Sequence, residues 1–418
     1  MSKPNVHVLI AGGGAAGMMA AISAARRGAR VTLVEKMNKP GRKLSITGKG
    51  RCNLTNTDDL EEFLTHIGPD ARFLRNTFAR FFNTHLLDLL HQLGLQTVTE
   101  RGGRVFPVNN SAVEVVNFLN REMQRLSVEI LNHTPVEEIL MKEGRATGIR
   151  TKGGKIIEAD RIILALGGSS YPGTGSTGDG YKISRRLGHS VREPVPSLVP
   201  LLTAGDVAQR LQGLTLKNVT ARVLVNGKKA GEEFGEMLFT HFGLSGPVIL
   251  TLSRTFNRTI LEGNNVEISI DLKPALDDET LDRRLLRDLA EHSKMHMKGI
   301  LKGLLPSSLI PLCLDLLHLD PDKPASQFTA QERKRLRAWL KDFRIQITGL
   351  RGFSEAIVTS GGVSTREIDP KTMESKLLKN LYFAGEIIDL DADTGGYNLQ
   401  IAFSTGWIAG MSAAEPDY

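Results

Sequence analysis

Cysteine is scarce in this chain: its 418 residues hold two, Cys52 and Cys313, too few for a disulfide framework and suited to a reducing cytosol. Long apolar runs are missing too, and no uncharged stretch approaches the ~18 residues that span a bilayer. The first apolar run is brief and reads as a strand rather than a signal peptide, so a cytoplasmic protein with no membrane partner and no metal is expected. Internal repeats are absent from the sequence. With 41% hydrophobic and 24% charged residues, the composition is that of an ordinary globular protein, of a length that suggests about two to three domains. A formal charge of +7 permits a polyanionic partner without establishing one. Basic residues are dispersed, and the densest run, Arg333-Lys334-Arg335-Leu336-Arg337, carries leucine at helical spacing, which favours a solvated helix face over an RNA-binding patch.

What is present is concentrated at the start. Val6, His7, Val8, Leu9 and Ile10 lead into Gly12-Gly13-Gly14-Ala15-Ala16-Gly17, an Ala-rich segment follows to Arg27-Gly28, and a second apolar run, Val31 to Val34, stops at Glu35. Strand, glycine turn, helix, strand and acid in that order satisfy the context that a G-x-G-x-x-G motif needs to be a dinucleotide site. Gly12 allows the tight turn, Gly14 lets backbone approach a pyrophosphate, and Gly17 lets the helix pack on the strand. The helix N-terminus then offers unpaired N–H groups and partial positive charge to the phosphates. Glu35 would accept the ribose hydroxyls and repel a 2′-phosphate, which points to FAD or NAD rather than NADP.

Beyond Glu35 lies a Gly- and Lys/Arg-rich stretch, residues 39–56, too polar for a core element. Helical patterns follow at 71–82, 83–93 (closed by Gly94) and 112–126, then short strands at 128–131, 136–141, 146–151 and 155–159. Residues 161–168 read as a buried strand ending in Gly167-Gly168. Residues 193–273 are strand-like, 274–343 are helical with a Thr329/Glu332 capping box, and 344–364 return to turn-rich character. An α/β nucleotide domain, residues 1–192, is therefore expected to be interrupted by a β-rich insertion with a helical subdomain and completed by 365–418. A second formal match, Gly173-Thr-Gly175-Ser-Thr-Gly178, follows Tyr171-Pro172 rather than a strand, so it reads as a loop in front of a helix from Gly180 to Leu187. At the C-terminus, Leu381-Tyr-Phe-Ala-Gly385-Glu386 and Gly395-Gly396-Tyr397-Asn398-Leu399-Gln400 suggest a strand and then a second helix start. Its partial charge would stabilise the negative charge on a reduced flavin, which favours FAD over NAD.

These segments, with Pro40-Gly-Arg-Lys, Thr47-Gly-Lys-Gly-Arg-Cys-Asn-Leu-Thr-Asn56, Phe239-Thr-His-Phe-Gly-Leu-Ser-Gly-Pro247, Thr359-Ser-Gly-Gly-Val363 and Thr372-Met-Glu-Ser-Lys376, resemble the flavoprotein family called YhiN-like, YtfP-like or BaiN/RdsA-type NAD(P)/FAD-dependent oxidoreductases, also aminoacetone-oxidase-like. The resemblance covers nearly the whole chain. It implies a Rossmann-type FAD-binding domain interrupted by a β-barrel-like insertion carrying a helical subdomain. The activities it implies are dihydrouridine formation in large-subunit ribosomal RNA, reduction of conjugated steroid enones, or oxidation of amino ketones. It also implies FAD contacts from Gly12, Gly14, Ala15, Ala16, Gly17, Glu35, Lys36, Arg42, Lys43, Thr47, Gly48, Arg51, Cys52 and Asn53, from backbone at Val136, and from Gly167, Gly168, Gly385, Glu386, Gly396, Asn398, Leu399 and Gln400. Arg42 and Lys43 have an independent reason, since a pyrophosphate benefits from fixed positive charge, although Lys43 could equally be a solvated surface residue.

Reducing an activated C=C bond takes a hydride from flavin N5 at one carbon and a proton from a placed acid at the other. Cys52, His241 and Tyr397 are the candidates. Cations around Cys52 would lower its thiol toward neutrality, and an acid poised near the working pH transfers protons best. The alternative is a small buried residue packed on the flavin. His241 is either a cavity-lining group or a satisfied histidine, and Cys313 reads as core. Three readings stay open: reduction of a ribosomal RNA uridine with NAD(P)H as transient reductant, a small-molecule reductase or oxidase, and a non-catalytic flavin-containing RNA-binding factor. The positive balance and the two insertions favour the RNA.

Overall fold

In a computed structural model, which describes residues 6–416, five parallel strands form the central sheet. They are β1 (His7–Ala11), β2 (Arg30–Val34), β3 (Glu129–Leu131), β4 (Arg161–Leu164) and β5 (Leu381–Phe383), in the order β5-β4-β1-β2-β3. Val8 to Ala11 and Arg161 to Leu164 are buried throughout, as expected for strands covered on both faces. The opening helix (Ala15–Ala25) buries Met18, Met19 and Ile22 completely, each worth roughly 1.5–3 kcal/mol.

The closing helix (Tyr397–Ala413) lies directly on the opening one. A side chain on Gly406 would collide with the carbonyl of Ala16, and one on Gly410 with that of Ala20, so two glycines one helical turn apart set this close approach. The first and last segments of the chain thus share one hydrophobic core. Residues up to Ser197 and from Phe353 onward form one compact unit; Leu198–Gly352 form the other.

The second unit contains a closed barrel of six strands, Leu201–Thr203, Gly243–Ser245, Lys228–Thr240, Thr215–Val225, Val266–Asp271 and Phe343–Leu350, all antiparallel neighbours. Between the last two strands sit helices Asp278–Glu291, Met297–Leu301, Leu309–Leu316 and Ala330–Lys341, the last opened by the Thr329/Glu332 capping box. Cys313 is fully buried there. The basic run in Ala330–Lys341 turns much of its charge inward. Arg333 meets Asp282 at 3.0 Å, Arg337 meets Asp282 at 3.3 Å, and Lys341 meets the buried Asp271 at 2.6 Å, leaving Lys334 and Arg335 exposed.

Three elements differ from expectation. Residues 71–82 do not form one helix: a 3₁₀ turn (Ala71–Leu74) passes into a short helix (Arg75–Arg80), which stops at the extended Phe81. The strand-like region at 193–273 contains a 15-residue helix, Pro247–Leu261, started by Gly246 at φ +92° and a proline at its first position. The strand Val358–Val363 pairs with Val191–Ser197 in the first unit, while Phe343–Leu350 closes the barrel.

Candidate functional site

The opening turn follows β1 with Gly12 at φ +103°, and a side chain on Gly17 would strike the Gly12 carbonyl. Gly14 is different: its backbone is extended and a Cβ there would meet nothing within 4 Å. The first intrahelical bond runs from Met18 N–H to the Gly14 carbonyl, so the N–H groups of Ala15, Ala16 and Gly17 have no carbonyl four residues back. Glu35 braces this turn. One carboxylate oxygen accepts the Gly13 N–H and the other the Met37 N–H, both at 2.8 Å, and each keeps an acceptor position for a ribose hydroxyl.

After β2, Lys36 is held by Asp179 at 2.8 Å and Thr177 at 2.5 Å, and Arg42 reaches Asn38 and the Gly173 carbonyl, each at 3.3 Å. The second glycine motif is accordingly a loop seated against this segment: Pro172–Thr174 make a 3₁₀ turn, and the helix Asp179–Arg186 begins beyond it. Lys43 does not stand as a free positive charge. Its Nζ donates to Glu386 Oε2 at 2.7 Å and to Ser170 Oγ at 2.6 Å, while Glu386 also accepts the N–H groups of Gly168 and Thr359 at 3.2 and 2.9 Å. Gly167 adopts φ +70° just before this bond, and Gly385 adopts φ +76° just before Glu386.

Thr47 to Asn53 form a strained loop in which Gly48, Lys49, Gly50 and Cys52 all adopt left-handed φ values, +57°, +56°, +86° and +61°. Two non-glycine residues in that region cost about 1–2 kcal/mol each, strain that concentrates at ligand sites. Of the two surroundings open to Cys52, burial is the one observed. Its side chain is fully buried, and burial pushes the thiol up to about 12 even though a hydrogen bond with Thr47 opposes the shift. The neighbouring cations point elsewhere: Lys49 is exposed, and Arg51 turns to Glu100 and Asn110 with its guanidinium 4.1 Å over Phe106. Asn53 Oδ1 is buried and has no hydrogen-bond partner among the described residues. Val136 opens the strand Val136–Lys142 and is buried.

At the closing helix, Gly396 sits at φ +106° with no room for a side chain beside the Thr55 carbonyl. The first intrahelical bond is Gln400 N–H to Gly396, which leaves the N–H groups of Tyr397, Asn398 and Leu399 without an i−4 partner. The Asn398 amide is held within the chain: its oxygen accepts the Ala392 N–H at 3.0 Å, and its nitrogen donates to the carbonyls of Ala392 and Asp393 at 2.7 and 3.1 Å. Gln400, fully buried, donates to Ser404 at 2.8 Å, and its Oε1 has no partner among the described residues.

Tyr397, the second candidate for the proton, is engaged within the protein. Its hydroxyl donates to Asp58 at 2.6 Å, and burial together with that carboxylate pushes the phenol well above its ordinary value. Its ring is stacked on His66 at 4.3 Å, and His66 Nδ1 lies 3.0 Å from Asp393. Sequence reasoning missed His66, Asp58 and Asp393, which carry no motif and meet only through folding. His241 belongs to the second unit, exposed on the turn before Gly243–Ser245, its ring edge-on to Phe242 at 4.9 Å.

Two helix N-termini, the open side of Gly14, the free acceptor positions of Glu35 and two orphaned buried acceptors describe a receptor for a ligand that is anionic in its middle and carries N–H and hydroxyl donors. FAD has that chemistry. Among the described residues no group of three or more His, Cys, Asp or Glu side chains could hold a metal ion, and no helix is long and apolar enough to cross a membrane.

The fold and site thus define a dinucleotide-binding Rossmann protein whose cofactor domain is split by an insertion. Comparison with known proteins specifies the class further: the chain belongs to the HI0933-like family, whose Rossmann-domain model matches residues 6–412. It is 34% identical over 408 residues to the 3-dehydro-bile acid delta(4,6)-reductase of Clostridium scindens, covering 97% of this chain and 98% of that protein. It is 32% identical over 401 residues to the ribosomal RNA dihydrouridine synthase of Escherichia coli, covering 96% of each. Among solved structures, the 3-ketosteroid-delta4-(5alpha)-dehydrogenase of Rhodococcus jostii shares the fold with TM-score 0.53 at 16% identity, over 100% of this chain and 98% of that one.

Proposed function

We propose that this chain is an FAD-dependent oxidoreductase that saturates a C=C bond conjugated to a carbonyl, and that its substrate is a uridine of large-subunit ribosomal RNA, which becomes dihydrouridine. One observation carries the proposal. Over nearly their whole length, the chain matches two relatives whose names denote that same chemistry, on a bile acid and on ribosomal RNA. Uridine C5=C6 is conjugated to the C4 carbonyl, so hydride and proton addition there is the same reaction type as enone reduction. The net charge of +7 favours the polyanionic substrate. The small-molecule enone reductase is the second reading, supported by the 34% identity to the bile acid reductase.

FAD, when bound, supplies the hydride at N5, and NAD(P)H serves as the transient reductant. The chain supplies the rest. The opening helix start and Glu35 would hold the pyrophosphate and the adenosine ribose of FAD, and the N–H groups at the closing helix start would favour negative charge on its ring. Lys43, Ser170 and the Gly168 and Thr359 N–H groups hold the Glu386 carboxylate in place. Of the three acids named from the sequence, His241 has the exposed side chain. With ribosomal RNA as the substrate, the cytoplasm is the proposed site of action.

The deciding experiment is mass spectrometry of large-subunit RNA from a strain lacking the protein. Loss of dihydrouridine at one position, restored by the gene, is expected; an unchanged dihydrouridine content overturns the RNA substrate. Binding to that RNA should weaken with salt, log K falling by about 0.7–0.9 per unit log salt for each contacted phosphate. Rapid NAD(P)H-dependent turnover of a conjugated enone with no effect on RNA would establish the second reading instead.

A further inference from the structure

We infer that His66 is a positioning residue for the start of the closing helix, its ring tying Asp393, and through Asp393 the Asn398 turn, to the segment Asp58–Gly68. The inference rests on the reading that this helix start receives the flavin. Two backbone strips are fastened together first. Ile67 bridges Ala392, the Gly68 N–H donates to the Asp391 carbonyl at 3.0 Å, and the Asp393 N–H donates to the His66 carbonyl at 2.9 Å. The side chains complete the link. His66 Nδ1 lies 3.0 Å from Asp393 Oδ2, and the Asp393 carbonyl accepts from Asn398 Nδ2 at 3.1 Å. Asn398 in turn is one of the residues whose N–H faces outward from the helix start. A displacement of Asp393 therefore reaches those N–H groups through a single side chain.

The charges around the ring give the link a dependence on pH. Asp393 at 3.0 Å, Glu62 at 3.6 Å and Asp58 at 3.9 Å face the imidazole, and Tyr397, hydrogen-bonded to Asp58, stacks on it. The hydrogen bond to Asp393 raises the His66 pKa above its ordinary value, and these carboxylates add to the shift against partial burial. A histidine raised on folding contributes its full stabilisation below the unfolded value of about 6.5 and loses it as pH rises through the higher folded value. Once the ring is neutral, its hydrogen bond to Asp393 is no longer charge-assisted, and the tie to the Asp393 turn weakens.

The test is FAD affinity of the full-length protein, followed by flavin fluorescence across about pH 5.5 to 9, for wild type, His66→Gln and His66→Phe. The glutamine keeps a donor for Asp393 without titrating, while the phenylalanine keeps the stacking and loses the donor. Wild-type affinity should fall about tenfold as pH rises, the size of one charge-assisted hydrogen bond, His66→Gln should lose that step, and His66→Phe should bind about tenfold more weakly at the acidic end. A purely structural role would lower the melting temperature and leave the pH profile unchanged. One shared profile and affinity in all three proteins would overturn the inference alone. A wild-type protein that takes up no FAD at any pH would overturn both the inference and the reading beneath it. If His66→Phe fails to fold, the loss or persistence of the step in His66→Gln still decides.

Discussion

Gly14 and Gly17 stand three residues apart in one motif, yet the structure gives them opposite sensitivities. A methyl on Gly14 enters open space from an extended backbone that any residue adopts, so Gly14→Ala should leave the stability of the cofactor-free protein within about 1 kcal/mol, the small cap penalty and the unfolded-state gain nearly offsetting. That open space is where the pyrophosphate must approach the backbone, and the methyl should weaken FAD at least about 100-fold, roughly 2.7 kcal/mol. Gly17→Ala drives its methyl into the Gly12 carbonyl, which is fixed by the turn and cannot rotate away, and should destabilise the cofactor-free fold by about 2–4 kcal/mol. Thermal melts with and without FAD separate the two. At an FAD concentration about 100 times the wild-type dissociation constant, wild type gains about 2.7 kcal/mol, whereas Gly14→Ala gains less than about 0.5 kcal/mol from an unshifted starting point. Wild-type FAD affinity in Gly14→Ala would refute the placement of the pyrophosphate. A cofactor-free melt as low as that of Gly17→Ala would refute the open space.

Lys43→Met strips Glu386, about one-fifth exposed, of its cation and should cost roughly 2–3 kcal/mol, most of it recovered in the double variant with Glu386→Gln, as chemical denaturation will measure. Cys52→Ala should retain turnover within a few-fold, and in the native protein Cys52 should resist iodoacetamide at pH 8, because burial holds its thiol protonated; rapid alkylation would contradict that. Ser375 Oγ lies 3.0 Å from His189 Nε2, and His189 Nδ1 lies 3.1 Å from Glu367, an arrangement that imitates a nucleophilic triad. Ser375 is nevertheless buried and already accepts the N–H groups of Leu377 and Leu378, so serine-directed phosphonates should leave it unlabelled while Ser375→Ala lowers stability by about 2 kcal/mol.

The Rossmann turn was legible because its determinants are local: β1, the three glycines and Glu35 signal themselves within one short stretch of chain. The closing helix was legible for the same reason, its paired glycines marking a start that only glycine conformations permit. The helix Pro247–Leu261 was not, since strand-like runs surround it and its one clear marker, proline after glycine, also opens loops. Side-chain environment was least legible. Cys52 stands among cations in the sequence, but backbone geometry sends Arg51 toward Glu100, so burial rather than charge sets the thiol. Lys43 and Glu386 are separated by 343 residues, and His66 and Asp393 by 327; no spacing rule reaches across an intervening domain.

A flavin must sit in the split domain. Full-length protein, purified gently and then denatured, should release FAD at one molecule per chain by mass spectrometry, or take it up to that ratio on titration and give it to neither NAD nor NADP in competition. Protein that releases no flavin and binds none when titrated would contradict the account at its base.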